Sequence, residues 1–209
     1  MGEKTIVLPY DFLDSMAWVV GASGLLLALG SISLSYDATS GTINEKNRSS
    51  RMAFGATLLG CGSYLFISGL MINALWPFAA LNGGAYNVLF GGISALGGLV
   101  LIVASIVIFS NSSLKIASYL AAVVGLYAAV DAAAIYQFSL TSSPLLAALG
   151  YLSFTAAAFL SVPASHLSSR RIRLIFVLFA LIFAGAWIYQ AADFTWAHLM
   201  TSLSLVLFH

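Results

Sequence analysis

Residues 89–109 read LFGGISALGGLVLIVASIVIF and hold no charged side chain. At a helical rise of ~1.5 Å per residue the run reaches about 30 Å, the thickness of the hydrocarbon layer of a bilayer. A helix that is apolar all round must be enclosed by protein or by lipid. Composition decides between the two. The chain has 209 residues, 61% hydrophobic and 7% charged, whereas a soluble domain carries about 25% charged residues. Eight Lys and Arg with seven Asp and Glu cannot clothe a water-soluble surface of this size, so lipid is the solvent.

Five more segments have the length and polarity of a span: Asp14–Tyr36, Met52–Ala74, Leu114–Tyr136, Pro144–Val162 and Ile172–Tyr189. The breaks between them carry loop chemistry. Residues 37–50 are polar, Trp76-Pro77 and Asn82-Gly83-Gly84 interrupt the second gap, and Ser110–Ser113 form the third. In Thr141-Ser142-Ser143-Pro144, Ser143 is placed to cap a helix whose first residue is proline. Pro163–Arg171 is the fifth break. The remaining apolar stretch, Thr195–Phe208, rises only ~21 Å as a helix and is too short to cross. The chain therefore reads as one all-α domain, residues 1–209. It is a polytopic transmembrane bundle of about six spans, with a short interfacial or re-entrant helix at 195–208 or, alternatively, a seventh span.

Basic residues orient the bundle. Lys46, Arg48 and Arg51 lie in the first connection, Lys115 in the third, and Arg170, Arg171 and Arg173 in the fifth, while Lys4 alone falls on the other side. The positive-inside rule then makes these connections cytoplasmic and both termini extracellular, in a plasma membrane. Sequons at Asn47 and Asn111 fall on the cytoplasmic side and stay unglycosylated. Trp76, Tyr86, Trp187, Tyr189 and Trp196 gather near the outer ends, where amphipathic rings favour the headgroup region. The N-terminus lacks the charge pattern of a signal peptide, since Glu3 balances Lys4 and Pro9 and Asp11 interrupt the apolar stretch. No basic face exists for nucleic acid. The one cysteine, Cys61, excludes an internal disulfide.

Helix association in lipid rests on small residues and polar contacts, because lipid tails are as apolar as leucine. Ala121, Gly125, Ala129 and Ala133 make one stripe, and Gly24 with Ala28, Ala56 with Gly60, Gly62, Gly69, Gly91 with Ala95, Gly97 and Gly98 supply others. Packing within the bundle is the first reading of these faces. Self-association or contact with other membrane subunits is the second.

Asp131 is the one charge deep within a span, about 8–10 Å from the outer end. A buried carboxylate there is costly unless paired or wetted. It reads either as a hydrogen-bonded tether, with Tyr127 or Tyr64 as partner, or as a proton or cation site. Residues 76–92, WPFAALNGGAYNVLFGG, carry no charge but hold Asn82, Tyr86, Asn87 and several glycines. That composition suits a turn before a helix, or a loop folded back into the membrane that presents amides to a solute. Asp11, Asp14, Asp193 and His198 form a weak outer polar cluster without metal-ligand spacing. The three histidines sit at loops or the terminus, so no bis-histidine haem is expected. There is no phosphate loop, dinucleotide fingerprint or HExxH pattern. No catalytic residue, cofactor or metal is assigned.

Trp76-Pro77, Gly84, Tyr86-Asn87 and Phe90-Gly91, with Ser143–Tyr151 and Trp196-Ala197-His198-Leu199, resemble a membrane family known as domain of unknown function 981. The resemblance implies a prokaryotic, often archaeal, plasma-membrane protein and carries no activity with it. The small loops and glycine-alanine faces lead to an accessory or scaffold subunit as the first functional expectation. A small transporter or channel using Asp131 and the 76–92 loop is the alternative. An intramembrane enzyme is disfavoured by the missing catalytic constellation.

Overall fold

The computed structural model describes residues 12–33, 48–78, 84–167 and 169–207. Within them lie six α-helices and no strand: α1 (Phe12–Ser33), α2 (Arg48–Leu75), α3 (Ile93–Phe109), α4 (Lys115–Phe138), α5 (Pro144–His166) and α6 (Arg170–Leu207). A π-helical turn, Asn87–Gly92, leads directly into α3. All six helices are long and apolar enough to cross a membrane, and their outward faces fit that solvent. Ile116, Val130, Leu75 and Val123 are among the most exposed apolar side chains, at 64–72%.

The helices run up and down in chain order, and their main contacts close a ring. Each packs on its neighbours in sequence, and α6 packs back on α1. Small residues set the spacing. A methyl built on Gly98 of α3 would fall 2.6 Å from the Gly62 carbonyl oxygen of α2, and one on Gly62 would lie 2.9 Å from the Gly98 oxygen. The two backbones touch where neither has a side chain, as close helix packing in lipid requires. Gly24 meets Phe183 and Ala184 across α1 and α6, and Gly125 of α4 meets Ala158 of α5. Hydroxyls add interhelical bonds. Ser105 donates to the Gly55 carbonyl at 2.7 Å, Thr155 to the Gly125 carbonyl at 3.1 Å, and Ser118 and Ser165 meet at 2.9 Å.

Four expectations need correction. The stretch 195–208 is not a separate short helix, because α6 continues unbroken to Leu207. Nothing in Gln190–Phe194 stops a helix, since polarity marks where a span leaves hydrocarbon and not where its hydrogen-bond ladder ends. Helix α5 runs through Pro163 to His166. A proline in a last turn removes one ladder bond, and the Pro163 carbonyl still takes the Leu167 N–H at 2.9 Å. Pro144 does open α5, but the Ser143 side chain makes no cap bond. The Ala121–Ala133 stripe also divides. Ala121 lines the interior, Gly125 faces α5, and Ala133 is exposed.

Candidate functional site

All six helices line a chamber of about 300 Å³ inside the ring. Its walls are apolar: Leu27 on α1, Leu58 and Leu65 on α2, Leu101 on α3, Ala121 on α4, Phe154 on α5 and Phe183 on α6. At one end the lining runs out to the helix termini that carry the basic residues, with Asn111, Ser112, His166 and Leu167 exposed there. Arg51 of α2 and Arg173 of α6 belong to this mouth, and no carboxylate does among the described residues. From Arg173 to Trp187, which both line the chamber, α6 rises about 21 Å.

Arg51 is held in an unusual way. It is only 9% exposed, and one terminal N–H donates to Oδ1 of Asn111. Asn111, two residues past the end of α3, lies in the left-handed region, φ 53°, which asparagine tolerates better than most residues. The Nε of Arg51 is buried without a partner. A buried guanidinium satisfied by one amide and no carboxylate is costly.

A packed layer closes the chamber toward the opposite end. Ala17, Leu89, Phe90, Ala132, Ile135, Tyr151, Phe183 and Trp187 belong to one buried cluster. The π-helical turn shapes it. A π turn shifts the backbone bonds out of the α register and is often found at functional sites. Two carbonyls there take phenol hydroxyls from other helices. Tyr151 of α5 donates to Leu89 O at 2.8 Å, and Tyr127 of α4 to Val88 O at 3.4 Å. Asn87 fixes the loop before the turn. It is fully buried, accepts the Phe78 N–H at 3.1 Å and donates to the Gly84 carbonyl at 3.2 Å. Gly84 has φ +81°, and a β-carbon there would meet the Trp76 ring.

Beyond the layer lies a second cavity of about 120 Å³, lined by Thr141, Ser142, Ser143, Gln190 and Asp193 among others. Tyr151 lines both spaces. Three polar atoms near this partition are buried without partners: Trp187 Nε1, Gln190 Nε2 and Thr141 Oγ1.

The residues singled out from sequence scatter around this frame. Asp131 is 5% exposed and one carboxylate oxygen has no partner. It lies near Tyr127 and Tyr151 but on the wall of neither cavity. Neither expected tether forms, because Tyr127 bonds to Val88 and Tyr64 to Ser15. Asn87 supports the partition, and the Tyr86 ring meets Phe78 edge-on and Phe90 at a tilt. Asn82 and Asp11 lie outside the described residues. Asp14 and His198 come together at 2.9 Å across α1 and α6, beside a Trp18–Thr195 bond of 3.1 Å. Asp193 goes to the second cavity instead. Among the described residues no cluster of three or more His, Cys, Asp or Glu is placed to hold a metal. Sequence reading missed the chamber, because its lining is ordinary leucine, alanine and serine. Arg51 reads as a connection residue ahead of a span starting at Met52, but α2 begins at Arg48 and carries Arg51 one turn inside the helix, where it is buried.

The fold defines the class: a multi-pass helical membrane protein with a chamber inside its helix ring, open at one end. The family model described as protein of unknown function (DUF981) matches residues 9–201, and the chain belongs to that family. No curated protein and no solved structure matches it.

Proposed function

We propose that this chain is a small membrane carrier that takes a solute into the ring from its basic end and passes it by rearranging the Tyr151 partition. One observation carries the reading. Tyr151, in the packed layer, lines both cavities. Pockets of a few hundred Å³ are typical of small-molecule sites, and carriers place such sites inside the bundle between gated layers. The excess of basic residues at the chamber mouth supports, by the positive-inside rule, a reading in which that end is cytoplasmic and the termini lie outside, and a prokaryotic plasma membrane is part of the same proposal. The test is efflux of radiolabelled monocarboxylates and organophosphates from proteoliposomes. At least one solute is expected to leave about tenfold faster than from protein-free vesicles, and Tyr151→Ala changes that rate. Efflux indistinguishable from empty vesicles for the whole panel sinks the proposal.

A second reading, an accessory or scaffold subunit, has its own observation. On α2, Ala53, Ala56, Thr57 and Gly60 face outward, and a β-carbon on Gly60 meets nothing within 4 Å. Such a smooth strip suits another transmembrane helix. Native purification in mild detergent separates the readings: a subunit brings stoichiometric partners that Gly60→Leu releases, whereas a carrier does not need them.

A further inference from the structure

We propose that the chamber holds a single-chain anionic amphiphile, one hydrocarbon tail ending in a carboxylate or phosphate monoester, with the headgroup between Arg51 and Arg173 and the tail reaching Trp187. The assignment rests on the reading of the chamber as a ligand site and names what that site takes.

Charge is the first argument. Arg51 is more than nine-tenths buried, its Nε has no partner, and the described lining offers it no carboxylate. A guanidinium so placed is completed by an anion, and carboxylates and phosphates match its planar fork. Arg173 brings a second positive charge to the same end, and Ser112 a hydroxyl. Shape is the second. Half of a ~30 Å hydrocarbon layer is the length of one acyl chain, and the chamber runs about 21 Å along α6. Its volume of about 300 Å³ is at the low end for ligand pockets, which fits one tail and not two. Wall chemistry is the third. Below the mouth the lining is mainly leucine, alanine, phenylalanine and tryptophan, with isolated hydroxyls such as Ser23 and Ser94, which favours a hydrocarbon tail over a sugar or a hydrated ion. A diacyl zwitterionic lipid fails on both counts, since it has two chains and its headgroup cation meets arginines.

Trp187 lines the chamber and is 6% exposed, so it reports occupancy. Trp18, Trp76 and Trp196 are exposed and are replaced by phenylalanine. The full chain in a neutral maltoside detergent is titrated with dibrominated stearate, whose bromines quench tryptophan on contact. Saturable quenching is expected, displaced by dodecanoate and by dodecyl phosphate. Their ratio tells whether a carboxylate or a phosphate is preferred. Arg51→Gln and Arg173→Gln each weaken binding about tenfold, the loss of one charge-assisted contact, while Arg51→Lys loses less. Circular dichroism checks folding, and the second arginine keeps the test decisive should Arg51→Gln unfold. Equal quenching by the dibrominated methyl ester overturns the assignment, as does parent-like binding by both glutamine variants. Saturable quenching in a protein that moves no solute keeps this site and removes the carrier. Transport without quenching keeps the carrier and removes this ligand.

Discussion

The hydroxyl of Tyr151 on α5 donates to the backbone carbonyl of Leu89 at 2.8 Å, reaching past α4 to the π-helical turn ahead of α3. Tyr151 is 2% exposed and its ring also leans on Trp187, centroids 5.6 Å apart. One side chain therefore joins three elements of the ring where the two cavities come closest. Tyr151→Phe keeps the ring contact and loses the hydrogen bond. A loss of about 1 kcal/mol is expected, in the range for interhelical bonds in membranes, and thermal melting in detergent measures it. Tyr151→Ala should do more, opening the partition so that a thiol placed at Thr141 becomes reactive toward reagents added at the basic end. An unreactive thiol in that variant means that other residues seal the layer.

Asn87 satisfies one backbone donor and one backbone acceptor while fully buried. Asn87→Leu keeps the size and strands both groups. The expected cost is about 2–4 kcal/mol, the desolvation penalty of two orphaned groups, and the Trp76–Gly84 region should become the earliest site of proteolysis. A variant as stable as the parent contradicts the role assigned here.

Glycines that look alike in sequence should behave oppositely. Gly98→Ala drives a methyl to 2.6 Å from the Gly62 oxygen, a backbone clash that overpacking data put at about 1–3 kcal/mol or more. Gly60→Ala meets nothing and should leave the melting temperature of the isolated chain unchanged. Paired melting curves check this contrast, and equal destabilisation by the two changes rules out the α2–α3 packing described.

Asp131 has an unpartnered buried oxygen inside a span. Asp131→Asn removes any charge while preserving shape, so the isolated protein should be at least as stable as the parent. A drop of several degrees in melting temperature identifies a partner for the carboxylate. Because Asp131 is off the chamber wall, the same change should leave quenching of Trp187 by dibrominated stearate as it was.

Much of the fold was legible because hydrocarbon imposes a crude rule. Leu89–Phe109 is apolar for the width of a bilayer, and nothing but a helix satisfies its backbone there. Helix ends were less legible. Gln190 and Asp193 read as the end of a span, yet one is packed beside the partition and the other lines a cavity on a helix that simply continues. Pro163 reads as a stop, yet a proline in a last turn forfeits little. The site was hidden for a different reason. Asp131 drew notice by its charge, but a chamber is made by which small and apolar side chains face one another. Gly97 and Ala121 border the space while Gly98, one residue on, is packed against α2, and composition does not distinguish them.

Ring order has a consequence for how the protein is made. Each helix from α2 onward finds its predecessor already in the bilayer as it leaves the translocation machinery, so five of the six seams can zip in the order of synthesis. The sixth, α6 against α1 with its Asp14–His198 and Trp18–Thr195 ties, waits until α6 has been made. Until then the nascent chain is an open crescent with its greasy inner wall bare to lipid. A message cut short before α6 would yield not a weaker container but none at all, and quality-control proteases would meet the unsealed edge first.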